Sequence, residues 1–190
     1  MISGPPDPVV STTDPAEKVP PAPAVRRPRT ATTGSSRHKA RELTLQALYQ
    51  SDISGDAIHR AVEQLCEENA DGHADLLYFK TIAAGTWSRR AELDEWIAKA
   101  TLNWSLQRIS TIDLNILRQG VYELLAEPDL PIRVVINEAI ELSKRYGGDG
   151  SRLFVNGVMD RLASQIRPGV VERRPVPRCD AEPAQPGTTS

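Results

Sequence analysis

The chain is short of nearly everything that enzymes and secreted proteins are built around. It has 2 cysteines in 190 residues, Cys66 and Cys179, with no CxxC and no spacing for metal or redox chemistry. That usage fits a reducing compartment. Its 3 histidines, His38, His59 and His73, lack ligand spacing, and none stands near a Ser or Cys that it could activate. The carboxylates are scattered along helical faces instead of paired in an apolar pocket, as general acid–base work requires. No catalytic residue, metal site or cofactor is expected. No apolar run reaches about 18 residues, and the N-terminus lacks the hydrophobic segment of a secretory signal. A cytoplasmic protein without a membrane span is the expectation.

Proline is missing from the middle. Of 15 prolines, 8 fall in residues 1–35 and 5 in 168–190, which leaves Pro128 and Pro131 for everything between. A proline-starved centre suits helices, and proline-rich ends cannot join them. The first 35 residues also carry runs of Ser and Thr with almost nothing large and apolar to bury. Disordered tails over 1–35 and 169–190 are therefore expected around one helical domain at 36–168. Positive charge is not in excess: the whole chain is at −2. Any nucleic-acid contact must come from a local patch.

What is there is helical period. Ala40, Leu43, Ala47 and Leu48 mark a core-facing stripe on a helix over 36–53. Ile58, Ala61, Val62, Leu65 and Cys66 mark a second, over 57–69. Phe79, Ile82, Ala83, Thr86, Leu93, Ile97 and Ala100 share one side of a long helix over 75–100. Gly85 within it points to a close neighbouring helix. Leu106–Ala126 forms another helix or helix pair, stopped by Pro128 and Pro131. The last two helices are joined at Gly147-Gly148, where Gly147 can close the first with a positive φ and Ser151 can cap the second. No stretch alternates with period two. The chain is expected to be all-α, an orthogonal bundle of about seven helices.

The first helix carries the most informative surface. Opposite its stripe lie His38, Glu42, Leu45 and Tyr49, so either the chain or a partner covers that side. Arg26, Arg27, Arg29, Arg37, Lys39 and Arg41 run from the tail into the same helix. They are either a solvated charge run or phosphate contacts, with Tyr49 able to stack on a base. Asp113 and Arg118 are surface ions or partner contacts. Trp87, Trp96 and Trp104 read as core or loop plugs.

Four stretches resemble the NusB family of bacterial transcription antitermination factors: RHKARELTLQALYQSDIS at 37–54, LLYFKTIAAG at 76–85, ILRQGVYELL at 116–125 and VVINEAIELSKRYGGDGSRLFVNGVMDRL at 134–162. The resemblance implies two packed three-helix subbundles with an extra helix. It implies binding of boxA RNA from ribosomal RNA transcripts jointly with the ribosomal protein NusE, inside an RNA polymerase antitermination complex. It assigns RNA contacts to Arg37, His38, Lys39 and Arg41, and to Asp149, Ser151 and Phe154. It assigns the NusE side to Leu45, Tyr49, Asp113 and Arg118. His38 stands where the family often has arginine, and Gly150 where it often has an acid. The alternative is a non-catalytic homodimeric scaffold, derived from the helical domain found fused to RNA methyltransferases. Residues 169–190 carry no glycine-rich turn or catalytic cysteine motif of a methyltransferase domain, so that activity is not expected.

Overall fold

The computed structural model describes residues 33–101 and 105–169. The expected disordered tails lie outside these residues, apart from Thr33 to Ser35, which are already helical, and Gly169. Trp104 and Cys179 lie outside them too. The elements are α1 (Thr33–Ser54), α2 (Ile58–Glu68), α3 (Leu76–Ser88), α4 (Arg90–Ala100), a 3₁₀ turn (Leu106–Arg108), α5 (Thr111–Ala126), α6 (Ile132–Tyr146) and α7 (Ser151–Ile166). Among the described residues there is no strand, and no helix is long and apolar enough to cross a membrane.

Two apolar clusters hold these helices. The first joins Ala40, Leu43 and Ala47 of α1 to Val62 and Leu65 of α2 and to Phe79 and Ile82 of α3. The second gathers Leu93 and Ile97 of α4, Leu117 and Val121 of α5, Val135 of α6, and Val155 and Met159 of α7. Leu45 of α1 reaches into this second cluster. The first helix is therefore a partition with apolar contacts on both sides. Each fully buried large side chain in these clusters contributes about 1.5–3 kcal/mol of transfer free energy.

The long helix over 75–100 is in fact two. Arg89 leaves helical geometry at φ −102° and ψ 9°, and the chain turns there without proline or glycine at the break. Ile82 belongs to the first cluster and Leu93 to the second. Eleven residues return to within about 20° of the same helical phase, so the periodicity runs straight across the break. Packing against two different cores bends the chain; the pattern carries no sign of it.

Gly85 does mark a close approach. A Cβ built there would collide with the Tyr122 ring of α5. Gly147 differs from expectation: its backbone is extended, at φ −81° and ψ 168°. Its lack of a side chain serves packing, since a Cβ would run into the Ser143 carbonyl and Ser151. The positive φ falls at Gly150, at 84°, which is the N-cap of α7. Ser151 thus sits inside the helix, and its hydroxyl is used elsewhere. At the far end, Arg167 donates to the carbonyls of Leu124, Glu127 and Leu130, closing the C-terminus of α5 and the loop beyond it.

Candidate nucleic-acid and protein interface

The N-terminal turns of α1 carry four basic side chains with four different fates. Arg37 lies 4.7 Å over the Tyr78 ring and 3.8 Å from Asp75, with part of its side chain in solvent. His38 Nδ1 sits 2.8 Å from Glu138. Lys39 is half-buried and reaches Glu42 at 3.2 Å. Arg41, expected at the surface as an RNA contact, is 2 % exposed. Its Nε donates to Glu123 at 2.8 Å and its Nη2 to Tyr78 at 3.1 Å. The Tyr78 hydroxyl donates to the same Glu123 oxygen. The reason for the correction is geometric: α1 packs against α2, α3 and α5, so a flank that looks exposed on one amphipathic helix is roofed here.

The electrostatics of this network follow from its burial. Burial works to lower the Arg41 pKa, but Glu123, Tyr78 and Glu138 outweigh it and hold the guanidinium above its ordinary value. Burial pushes the Glu123 carboxyl up, with Arg41 and Tyr78 opposing. Desolvation and Glu123 also push the Tyr78 hydroxyl well up. The group is an interior lock between α1, α3 and α5. A buried guanidinium with its hydrogen bonds spoken for offers nothing to a phosphate.

Three cations that the sequence pattern does not single out lie at the exposed edge beside α1. Arg145, at the end of α6, pairs with Glu42 and lies 5.4 Å over the ring of Tyr146. Lys144 donates to Glu141 at 2.6 Å. That bond holds the Glu141 carboxyl below its usual range, with His38 and Arg152 adding to the effect. Lys39, His38 and Arg145 thus meet at Glu42, and Lys144, His38 and Arg152 act on Glu141, so cations of three helices converge on two carboxylates. A Lys-Arg pair in a helix's last turn has a bland explanation, favourable interaction with the macrodipole. Nothing in the local pattern shows that α1 would meet it.

A second exposed face lies further along α1. Tyr49 is 42 % and Ile53 66 % exposed, both within a turn of Asp52. Arg118 of α5 holds Asp94 through two bonds, at 2.7 and 2.8 Å, and reaches Asp52 at 3.3 Å. Asn115 donates to Asp52 at 2.9 Å. Of the residues expected to face a protein partner, Tyr49 is open here and Arg118 underlies the face as its brace. Leu45 is not available: it is 4 % exposed and part of the second core.

Asp113 goes to a third place. It lies at the start of α5, where its backbone N–H donates to the Ser110 hydroxyl at 3.1 Å. It is 7 % exposed, and its Oδ2 accepts the Ser151 hydroxyl at 2.9 Å. Asp113, Asp149, Ser151 and Phe154 line a cavity of about 280 Å³ together with Arg108 and Ile109. The expected partner contact Asp113 thus joins three of the expected RNA contacts. Among the described residues, no three His, Cys, Asp or Glu side chains converge as metal ligands.

The family model described as "NusB family" matches residues 38–164. The chain belongs to the NusB family. The transcription antitermination protein NusB of Bacillus subtilis is 43 % identical over 131 residues, covering 68 % of this chain and 96 % of that protein. That of Geotalea uraniireducens is 41 % identical over 140 residues, covering 70 % and 97 %. Among solved structures, NusB of T. maritima superposes with a TM-score of 0.62 at 34 % identity, covering 68 % of this chain and 91 % of that one. A chain from a crystal structure of the antitermination factors NusB and NusE with double-stranded RNA gives 0.61 at 26 %, covering 67 % and 96 %. These NusB structures share the helical fold described above.

Proposed function

We propose that this NusB-family chain is a non-catalytic transcription antitermination factor. It binds boxA-type RNA of ribosomal RNA transcripts jointly with NusE and works in the cytoplasm as part of an RNA polymerase antitermination complex. The observation that carries the reading is the cationic edge around His38, built from α1, α6 and α7, on a chain closely similar to antitermination proteins. The RNA contacts are Arg37, His38 and Lys39, extended by Lys144, Arg145 and Arg152. Phosphates meet the cations, and splayed single-stranded bases supply specificity. Arg41 serves the fold. NusE takes the face of Tyr49 and Ile53, where an apolar strip borders the Asp52–Arg118–Asp94 brace. With a net charge of −2, the protein alone holds RNA weakly, and NusE completes the site.

The test is RNA binding by purified protein, with and without NusE, at low and high salt. Salt-sensitive binding that strengthens when NusE is added is the expected result. A folded protein that binds no boxA-type RNA under either condition would remove the RNA half of the reading. Tyr49→Asp should weaken NusE binding and leave the melting temperature in place. Unchanged NusE affinity in that variant would move the partner elsewhere.

A further inference from the structure

We propose that Gln119 couples the partner face of α1 to its cationic edge, as the movable link in a buried polar line along α5. NusE bound at Tyr49 and Ile53 thereby resets His38 through the interior of the protein. The inference rests on the function proposed above and adds a positioning residue to it, one that touches neither ligand.

Helical spacing builds the line. Asn115, Gln119 and Glu123 lie four apart on α5, so each is the next one's neighbour on one side of the helix. All three are 1 % exposed. The two outer residues reach α1. Asn115 donates to Asp52 at 2.9 Å, beside Tyr49 and Ile53. Glu123 accepts from Arg41 Nε at 2.8 Å, and Arg41 shares Glu138 with His38, at 3.5 and 2.8 Å. Bonds therefore run inward from both faces and stop one helical turn short of each other on either side of Gln119. Neither Oε1 nor Nε2 of Gln119 has a hydrogen-bond partner.

A buried amide with nothing bonded to it costs stability that an apolar side chain of the same volume would not. The same amide carries both a donor and an acceptor. Turned towards one neighbour, it donates to the Glu123 carboxylate. Turned towards the other, its oxygen accepts the N–H that Asn115 does not give to Asp52. A partner that moves Asp52 changes which setting is favoured. That alters how much of the Glu123 charge is left to Arg41, and so how Arg41 and His38 divide Glu138. Coupling between two sites needs an element with two arrangements that both sites bias, and Gln119 supplies it.

The test follows the His38 ring by NMR in full-length protein with labelled histidine, titrated with NusE and no RNA. His38 lies 11 residues before Tyr49, about 16 Å along α1, and its signals are assigned by their loss in His38→Gln. They should shift as NusE saturates wild type. In Gln119→Met, which keeps the volume and removes the amide, the shift should vanish with NusE affinity unchanged. The melting temperature should not fall, because no bonded amide is lost. The gain in boxA-type RNA affinity that NusE confers should shrink about threefold or more in this variant, a modest part of ordinary coupling factors. An unmoved His38 signal in wild type saturated with NusE would overturn the proposal, and this titration needs no variant. The same shift in wild type and Gln119→Met would overturn it too, as would a Gln119→Met chain that fails to fold, since the amide would then be structural. If NusE does not bind wild type at all, the function proposed above fails instead, so the two failures are told apart.

Discussion

Arg41 and Lys39 stand two residues apart on one helix, and they live in different media. Arg41 is sealed between α3 and α5 with Glu123 and Tyr78, whereas Lys39 is only half-buried and shares the carboxylate of Glu42 with Arg145. The buried cation holds helices together and is silent towards ligands. The cations at the edge are paired with Glu42 and Glu141 where solvent reaches them, and such pairs are weak enough for a phosphate to compete. Charge at a position says little until the dielectric around it is known.

The largest test of that contrast is Arg41→Ala. It leaves Glu123 buried without its counter-charge and should cost about 3–5 kcal/mol in chemical denaturation, because an unpaired buried ion is far worse than an absent pair. RNA affinity per folded molecule should not change. A stability loss below about 1 kcal/mol would mean that water reaches the network and that Arg41 behaves as a surface cation.

Next in size is Arg167→Ala. Its guanidinium closes carbonyls at the end of α5 and in the following loop, and charged hydrogen bonds of this kind are each worth roughly 1.5–3 kcal/mol. A loss of about 2 kcal/mol is expected, read by the same denaturation. An unchanged midpoint would show that the α5–α6 loop closes without it.

The third effect is a slope. Burial raises the Glu123 pKa in the folded protein above its ordinary 4.5. A raised group contributes stability that is fully present below the unfolded value and is lost as pH rises through the folded one. Against Glu123→Gln, wild type should therefore lose relative stability as pH rises from about 4.5 through that higher value. Parallel stability–pH curves for the two proteins would show that Glu123 titrates normally.

The smallest stability effect, and the clearest functional one, belongs to the exposed edge. Lys144→Ala with Arg145→Ala should shift stability by less than about 1 kcal/mol, as exposed ion pairs do. RNA binding should weaken, and the slope of log affinity against log salt should flatten by about 0.7 for each phosphate that is no longer neutralised. An unaltered salt slope would take these two residues off the RNA face.

Particular residues show where the sequence can be trusted. The stripe Ala40, Leu43, Ala47, Leu48 is buried as its spacing indicates, because one side of any amphipathic helix must find a core. Gly85 lies against a neighbouring helix as expected. The burial of Arg41 and Leu45 is not legible in the same way, since α1 is covered on a second side and a helical wheel records one helix without its neighbours. Asp113 does not sit on the expected partner face, and the residue that holds its carboxylate, Ser151, lies 38 residues further on. Lys144 and Arg145 stay hidden for the same reason: their meeting with α1 is a distant contact.

By itself, the sequence determined the class of the fold, the extent of most of the helices, and the family. These are local properties: hydrophobic period, proline placement and short ordered words are written in consecutive residues. Tertiary structure alone decided the break at Arg89, the interior place of Arg41, the cationic edge drawn from three helices and the cavity between α5 and α7. Each depends on which helix covers which, and that is settled by long-range packing that no window of neighbouring residues contains.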